Sequence, residues 1–327
     1  MSEPVHRLLA ELTRDECRVV GTEGVVILPI GATEQHGPHL PIGTDSFGAE
    51  HVARAAAAEL HDRFPVAVAP TLPYGSSHHH IPFGGTMSLS AETMLKVLMD
   101  LGQSLARSGF RRLFMVNGHG GNHELIAITA RDLALQERIE VGACSWWALA
   151  ADELSAAGAG DLGAFPGHAG AFESSLVLAL DASLVREPRP HRDSGTDSGS
   201  RSVNVPVRIE RPGTWQAIDG YTDSPDRGSA HLGELFLQVA ITKLVETIAN
   251  FFGSAVIMAD RPFRKGDLVS VGDQTGVVQH VGLRSTQLRT REDALVVIPN
   301  AHLAKETVDN RGLQRGRRVD LLLGVEY

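Results

Sequence analysis

The sequence has little cysteine and no long hydrophobic run, and each lack excludes a class of protein. Two cysteines among 327 residues, Cys17 and Cys144, cannot build a disulfide framework or a cysteine-based zinc ribbon. The N-terminal residues MSEPVHRLLAELTRDE contain no apolar core of a secretory signal. The longest apolar stretch, residues 248–259, has about half the length that a bilayer requires. We therefore expect a cytoplasmic protein, with membrane contact through residues 246–260 as the less favoured alternative.

Excess positive charge is lacking as well. The formal net charge is −9, which argues against nucleic acid as the main partner. Residues 251–327 carry 11 Lys and Arg against 9 Asp and Glu, whereas the remainder carries 19 against 30. A mildly basic tail behind an acidic body indicates two domains, which we place at residues 1–245 and 246–327.

Four potential metal ligands follow a predicted buried strand near the N-terminus. Residues 25–28, Val-Val-Ile-Leu, are typical of a strand in a mostly parallel sheet. After this strand come residues of the types that bind Zn, Mn or Fe: Glu34, His36, His39 and Asp45. A polar loop with scattered histidines would explain any one of them, but the whole cluster directly after a strand favours a metal site.

A histidine-rich loop follows a second strand, predicted at residues 66–69. We predict that His80 in this loop contacts the substrate, because a sharp turn after it should hold the side chain in place. The adjacent His78 and His79 are better explained as solvated.

A third strand, predicted at residues 112–116, runs into the turn NGHGGNHE and a helix predicted over residues 124–137. His119 is held at this turn and is predicted to be a metal ligand. Glycines allow close approach of the backbone, and we assign Gly120 and Gly121 to substrate binding.

The segment GAFPGHAGAFESSLVLAL follows a fourth strand, predicted at residues 141–144. It places His168 at a turn and Glu173 near the start of an apolar helix that begins at Ala171. A carboxylate on a buried helix is costly unless it is paired or metal-bound. Stabilisation of the helix N-terminus is the alternative explanation of Glu173.

Loops at the carboxyl ends of parallel strands emerge at one edge of the sheet, where ligands bind. We therefore expect one site with two divalent ions (Zn, Mn or Fe) that share Asp45: Glu34, Asp45 and His119 for one ion, and His36, Asp45 and Glu173 for the other. Two such ions activate a water molecule and polarise a carbonyl group, and His168 can protonate the departing nitrogen. The predicted reaction is hydrolysis of a C–N amide bond.

Other elements are predicted from apolar periodicity, caps and turns. In the body we expect a long helix after Ser224-Pro225, a short strand near residues 203–209, and helices over residues 5–14, 47–60 and 91–108, the last with Ser90 as N-cap. In the tail, short strands with tight turns predict a small β-barrel or sandwich: residues 267–271, 275–281, 285–289, 294–298 and 318–325.

Three motifs in this order, ATEQHGPHLPIGTD, MVNGHGGNHE and GHAGAFESS, resemble those of the creatininase family of amidohydrolases. The resemblance covers about residues 5–245. It implies a three-layer α/β/α sandwich with a mostly parallel sheet, a binuclear metal centre and a homo-oligomer, often a hexamer. It also implies His168 as the catalytic histidine and four of the metal ligands: Glu34, His36, Asp45 and His119.

The chain departs from creatininase itself near the substrate. Creatininase has a tyrosine and a metal-binding glutamate after the histidine of the second motif, where this chain has Gly120 and Gly121. The aromatic residue that packs on creatinine in that enzyme is Ala164 here. We assign the missing ligand to Glu173, which we also count with His168 as catalytic. We expect a small-molecule amide other than creatinine as substrate: a cyclic amide, a formamide or a small peptide-like compound.

Residues 246–327 resemble the end of the pore-lining helix and the Sm-like β-domain of the small-conductance mechanosensitive channel family, through DRPFRKGD, STQLRT and VVIPN. Such channels need complete membrane helices upstream, where this chain has an enzyme-like body, so we expect no conducting pore. The rival hypothesis is a channel-related assembly or membrane-associated protein with a degenerate enzyme body. The intact ligand set favours the enzyme. The channel family forms sevenfold rings, which a hexameric body would not match.

Overall fold

The computed structural model describes residues 8–192, 211–260, 262–282, 284–304 and 306–313. The chain divides into two compact units, Met1–Glu246 and Thr247–Tyr327. The strands predicted at residues 203–209 and 318–325 lie outside the described residues.

A four-stranded sheet forms the centre of the first unit. Its strands are β1 (Val25–Ile30), β2 (Val66–Val68), β3 (Arg112–Asn117) and β4 (Glu140–Ser145). All neighbouring strands are parallel, in the order β2-β1-β3-β4. Every residue of β1 and of β3 is buried, as expected for strands that are covered on both faces. The predicted parallel sheet is therefore confirmed.

The helices as far as Asp260 are α1 (Arg14–Glu23), α2 (Thr44–Leu60), α3 (Ala91–Arg107), α4 (His123–Glu137), α5 (Trp146–Leu149), α6 (Ala151–Ala156), α7 (Ala171–Asp181), α8 (Thr214–Ala217) and α9 (Ala230–Asp260), of which α9 begins in the first unit and ends in the second. The sheet is in contact with α1, α2, α4 and α5. Val26 and Met115 share a core with Leu98 of α3 and Leu133 of α4. Alternate strand residues such as Ile27 point to the opposite face, where α2 contacts β1 and α7. These layers form the predicted α/β/α sandwich.

The register of the strands brings their loops together. Ile30 of β1 pairs with Asn117 of β3, and Asn117 pairs with Ser145 of β4. The three strands therefore end at the same level, and the segments that follow them leave from one edge of the sheet.

Two helix starts differ from the prediction. The helix expected over residues 5–14 is wrong for the described part, because α1 begins at Arg14 after a capping box between Thr13 and Glu16. The helix α2 begins at Thr44 instead of residue 47, so Asp45 lies in its first turn. The predicted N-cap of α3 is confirmed, since the Ser90 side chain accepts a hydrogen bond from the Thr93 backbone.

The second unit contains a five-stranded antiparallel sheet and the short helix α10 (Asn300–Leu303). Its strands are β5 (Leu268–Val271), β6 (Gln274–Val281), β7 (Ser285–Arg289), β8 (Leu295–Pro299) and β9 (Val308–Asn310), in the order β8-β7-β6-β5-β9. Val269, Val278 and Leu288 lie in its apolar core. The predicted all-β tail is confirmed, and β9 is a strand that the alternation of residues did not reveal.

The helix α9 is longer and more apolar than the sequence analysis allowed. Over Ala230–Ser254 it is long and apolar enough to cross a membrane, by length and composition alone. Core helices of soluble proteins meet the same criterion, and Phe236, Ala240 and Leu244 of α9 are at most 1% exposed. The expectation that no segment has the length of a membrane span is therefore wrong, while the helical spacing of these buried residues is that of a core-facing stripe.

Candidate metal centre

The predicted ligand residues converge at the carboxyl edge of the parallel sheet. The loop after β1 supplies Glu34 and His36, and the first turn of α2 supplies Asp45. The turn after β3 supplies His119, and the first turn of α7 supplies Glu173. All four segments lie at the level where β1 and β3 end, so residues far apart in sequence share one buried site.

The first group of ligand atoms consists of Glu34, Asp45 and His119. His119 Nδ1 lies 3.2 Å from Glu34 Oε1 and 3.1 Å from Asp45 Oδ2. One ligand atom from each residue falls within 4.8 Å of the others, a spacing at which the three can hold a metal ion. All three side chains are buried.

The second group consists of His36, Asp45 and Glu173, with the same spacing of ligand atoms. His36 Nε2 lies 3.2 Å from Asp45 Oδ1 and 3.7 Å from Glu173 Oε2. Asp45 thus faces the first group with one carboxylate oxygen and the second group with the other. This is the arrangement of a carboxylate that bridges two ions.

The hydrogen bonds of the two histidines suit metal ligands. His36 Nδ1 lies 3.1 Å from the Glu34 backbone oxygen, and His119 Nε2 lies 3.1 Å from the Ser76 backbone oxygen. A carbonyl oxygen only accepts hydrogen bonds, so these two ring nitrogens carry the protons. The opposite nitrogens, which face the carboxylates, are left as ligand atoms, as is usual for metal-binding histidines.

Buried carboxylate oxygens without hydrogen bonds mark the same place. Within the described part of the chain, both oxygens of Glu34 and Oδ2 of Asp45 are buried and have no hydrogen-bond partner. Burying such groups unsatisfied costs free energy of folding, about 1–3 kcal/mol or more each. Divalent cations would satisfy them, and a mixed N/O donor set fits Zn, Mn or Fe. The residues present therefore fit divalent metal ions.

The site favours positive charge, and this is seen in the pKa values of its histidines. Burial lowers the pKa of His36, but Asp45 and Glu173 outweigh it and raise that pKa to about 10. Burial also opposes the charge on His119, yet the carboxylates Glu34 and Asp45 raise its pKa well above the usual value. Burial raises the pKa of Glu173 to about 7. A metal ion must displace such protons, since it binds the neutral imidazole and the carboxylate.

Two further histidines stand beside Glu34. His168 Nδ1 lies 3.6 Å and His80 Nε2 lies 3.7 Å from Glu34 Oε1. Their rings stack with centroids 4.2 Å apart. Burial lowers the pKa of His80 to about 3 and that of His168 well below its usual value, so both imidazoles are neutral.

The remaining predicted histidines are His39, His78 and His79, of which His79 forms a further group of possible ligands with Glu34 and His80. His39 Nε2 lies 3.0 Å from Ser174 Oγ of α7, which gives His39 a structural role. His78 is exposed, as predicted. The prediction that His79 is solvated is wrong, because its ring is half-buried between His80 and Trp215.

The two glycines after His119 occupy different environments. A Cβ at Gly121 would lie 2.2 Å from the Ser76 oxygen and 2.5 Å from His119 Nε2. A Cβ at Gly120 would meet no described atom within 4 Å. Gly121 therefore packs against a ligand, and open space adjoins Gly120.

Gly121→Ala is expected to displace His119 and weaken metal binding by about 10–100-fold, as loss of a ligand's supporting contacts does. Gly120→Ala is the matched control and should bind metal like the wild type. Competition with a metal-indicator dye measures both affinities. Equal affinities in the two variants would contradict the assigned contact.

Two residues at the site were missed by sequence reasoning. Gln35 is 6% exposed and contacts both His80 and His168. The alternation of an extended stretch predicts that Gln35 points away from Glu34 and His36, so the sequence pattern does not single it out. Trp215 of α8 lies with its ring 4.6 Å from that of His80 and 5.1 Å from that of His168. No local pattern distinguishes this tryptophan in sequence.

Comparison with known families gives two matches. The family described as "Creatininase: Creatinine amidohydrolase" matches residues 10–248. The family described as "Mechanosensitive ion channel, beta-domain" matches residues 246–312. Both resemblances that the sequence motifs indicated are thereby confirmed.

The names of individual relatives give two different activities. A creatinine amidohydrolase of Pseudomonas putida is 32% identical over 256 residues, which are 72% of this chain and 93% of that protein. A mycofactocin precursor peptide peptidase of Mycobacterium ulcerans is 36% identical over 198 residues, which are 58% of this chain and 73% of that protein.

A solved structure agrees with the fold and with metal binding. The structure titled "Creatininase Mn" superposes with a TM-score of 0.60 and 29% identity, and covers 78% of this chain and 99% of that chain. Its title gives manganese, one of the metals that fit the donor set described above.

Proposed function

We propose, since the chain belongs to the creatininase family of metal-dependent amidohydrolases, that it hydrolyses a C–N amide bond with two divalent ions and His168. The observation that carries this proposal is the pair of ligand groups that share Asp45. Glu34 and His119 complete one group, and His36 and Glu173 complete the other. When bound there, two divalent ions supply an activated water molecule and polarise the substrate carbonyl.

The protein's own side chains would hold the ions and transfer the proton. The four carboxylate and imidazole ligands around Asp45 are buried, except for Glu173, which is half-buried. His168 is neutral, so it can take up a proton at Nδ1, the ring nitrogen that faces Glu34. It can then return this proton to the departing nitrogen as general acid.

The space beside the ligands supports a substrate larger than creatinine. Gly120 leaves open room, and Ala164 stands where creatininase has the aromatic residue that packs on its substrate. The peptidase relative is named for action on a peptide. We favour a small peptide-like amide, with formamides and cyclic amides as the other members of the predicted set.

A hydrolysis screen over these three substrate classes tests the proposal. We expect turnover of at least one class, complete loss after treatment with a chelator, and recovery when Zn or Mn is restored. Metal analysis should find two ions per chain. Turnover that survives removal of all metal would contradict the proposal, as would a purified protein that binds no metal.

The assembly is proposed from the resemblance to the creatininase family, and the location from the sequence. We propose a homo-oligomer of six subunits in the cytoplasm, which sedimentation of the purified chain and vesicle flotation measure directly. The β-domain of the channel family matches residues 246–312. A channel-related assembly with a degenerate body is not favoured, because the ligand residues of the body are present and lie together.

A further inference from the structure

The side-chain amide of Gln35 has a fixed orientation. Its Oε1 accepts a hydrogen bond from the Gly37 backbone N–H at 2.8 Å. Its Nε2 donates to the Gly220 backbone oxygen at 2.9 Å. A backbone N–H can only donate and a carbonyl can only accept, so these two contacts decide which end of the amide is nitrogen.

The second N–H of this amide determines the tautomer of His80. Gln35 Nε2 lies 2.8 Å from His80 Nδ1, which must therefore accept the hydrogen bond. In a neutral imidazole the other nitrogen then carries the proton. His80 Nε2–H points toward Glu34 Oε1, 3.7 Å away. A protonated nitrogen cannot bind a metal, so Gln35 keeps His80 out of the ligand set although its ring nitrogen lies within ligand distance of Glu34.

The backbone of the same residue holds His168 in the opposite sense. His168 Nε2 lies 2.9 Å from the Gln35 backbone oxygen and must donate to it. In the neutral imidazole Nδ1 then carries no proton, and this nitrogen faces Glu34 Oε1 at 3.6 Å. Both hydrogens of the Gln35 amide are already used, so its 3.1 Å contact with His168 Nε2 adds no hydrogen bond.

We propose that Gln35 is a positioning residue that makes His80 a hydrogen-bond donor beside His168, an acceptor. The two stacked rings then present Nε2–H and a bare Nδ1 on the same side, toward the ligand carboxylates. This pair is complementary to an amide bond that is being hydrolysed. His80 donates a hydrogen bond to the carbonyl oxygen as negative charge develops there, while His168 takes up a proton at Nδ1 and returns it to the departing nitrogen. The inference rests on the proposed amidohydrolase function and names the atoms that meet the substrate.

Gln35→Glu tests this role because it replaces the donor toward His80 by an acceptor of the same size. We expect the proton of His80 to move to Nδ1, from which the ring donates a hydrogen bond to the new carboxylate. The ring should stay neutral beside the proposed cations. The donor at Nε2 is then lost. Loss of one such donor lowers kcat by about 100-fold, with little change in KM and with unchanged metal content.

A second background separates positioning from a merely structural role. His80→Gln keeps an amide N–H near the position of His80 Nε2 without needing Gln35 to orient it. In this background Gln35→Glu should lower kcat less, because the part of its effect that acts through the His80 ring is absent. An equal loss of kcat in both backgrounds would overturn the proposal, as would loss of metal from Gln35→Glu.

Nitrogen-15 NMR of the histidine rings in the zinc-loaded protein reads the tautomer without substrate. The wild type should show His80 protonated at Nε2 and His168 also protonated at Nε2. A proton on Nδ1 of wild-type His80 refutes the inference whatever the enzyme hydrolyses. Conversely, absence of turnover on every amide class defeats the proposed function, while the ring nitrogens still decide the role of Gln35.

Discussion

Asp45→Asn is expected to remove both metal ions from each chain, whereas Glu34→Gln removes one. Asp45 Oδ1 lies next to His36 and Oδ2 next to His119, so the carboxylate belongs to both groups. Asparagine keeps the shape but has one neutral oxygen, and its amide nitrogen is a donor that cannot bind a cation. Turnover should fall to the level of the wild-type protein after treatment with a chelator.

Elemental analysis after dialysis measures this difference as ions per chain. Asp62→Asn is the matched control, because Asp62 is exposed just after α2 and should leave the count unchanged. If Asp45→Asn keeps one ion, that ion does not depend on a bridge, and the shared-ligand arrangement is wrong.

His168→Gln is expected to lower kcat by about 10²–10⁴-fold, the contribution typical of a positioned general acid or base. Glutamine keeps a polar side chain of similar reach but cannot take up a proton at neutral pH. The metal content should stay at the wild-type value, since the proposed ligand groups do not include His168. Steady-state kinetics on the substrate found in the screen, with elemental analysis of the same samples, provides the measurement.

His123→Gln controls for the loss of an imidazole near the site. His123 lies at the start of α4, and its Nδ1 is 2.9 Å from Ser145 Oγ, away from the ligand groups. It should retain most of the wild-type kcat. A His168 variant that remains as active as the His123 variant would exclude His168 from the chemistry.

Part of the site can be predicted from sequence because the loops after two apolar runs, β1 and β3, carry Glu34 and His119. Parallel strands place their carboxyl ends at one edge of the sheet, so these loops are expected to meet. Glu173 does not follow a strand directly, because α5 and α6 lie between β4 and its helix α7. The alternation of residues in the tail revealed β5 to β8.

Features that depend on distant partners were not visible. The strand β9 is three residues long and exists through its pairing with β5. Trp215 reaches His80 and His168 only in the folded chain. The importance of Gln35 lies in the direction of its hydrogen bonds, which neither residue type nor spacing encodes. The start of α1, by contrast, has a local signal in the sequence, the capping box of Thr13 and Glu16.

The shared site also joins segments that lie far apart along the chain and that no disulfide bond connects. Its ligands come from the loop after β1 with the start of α2, from the turn after β3, and from the start of α7. Divalent ions that bind only the folded chain would act as cross-links between these segments. Each contributes about 2.7 kcal/mol to the free energy of unfolding when free metal exceeds its dissociation constant 100-fold. In a chain whose two cysteines are both free, the supply of such ions would therefore set the free energy of unfolding as well as the activity.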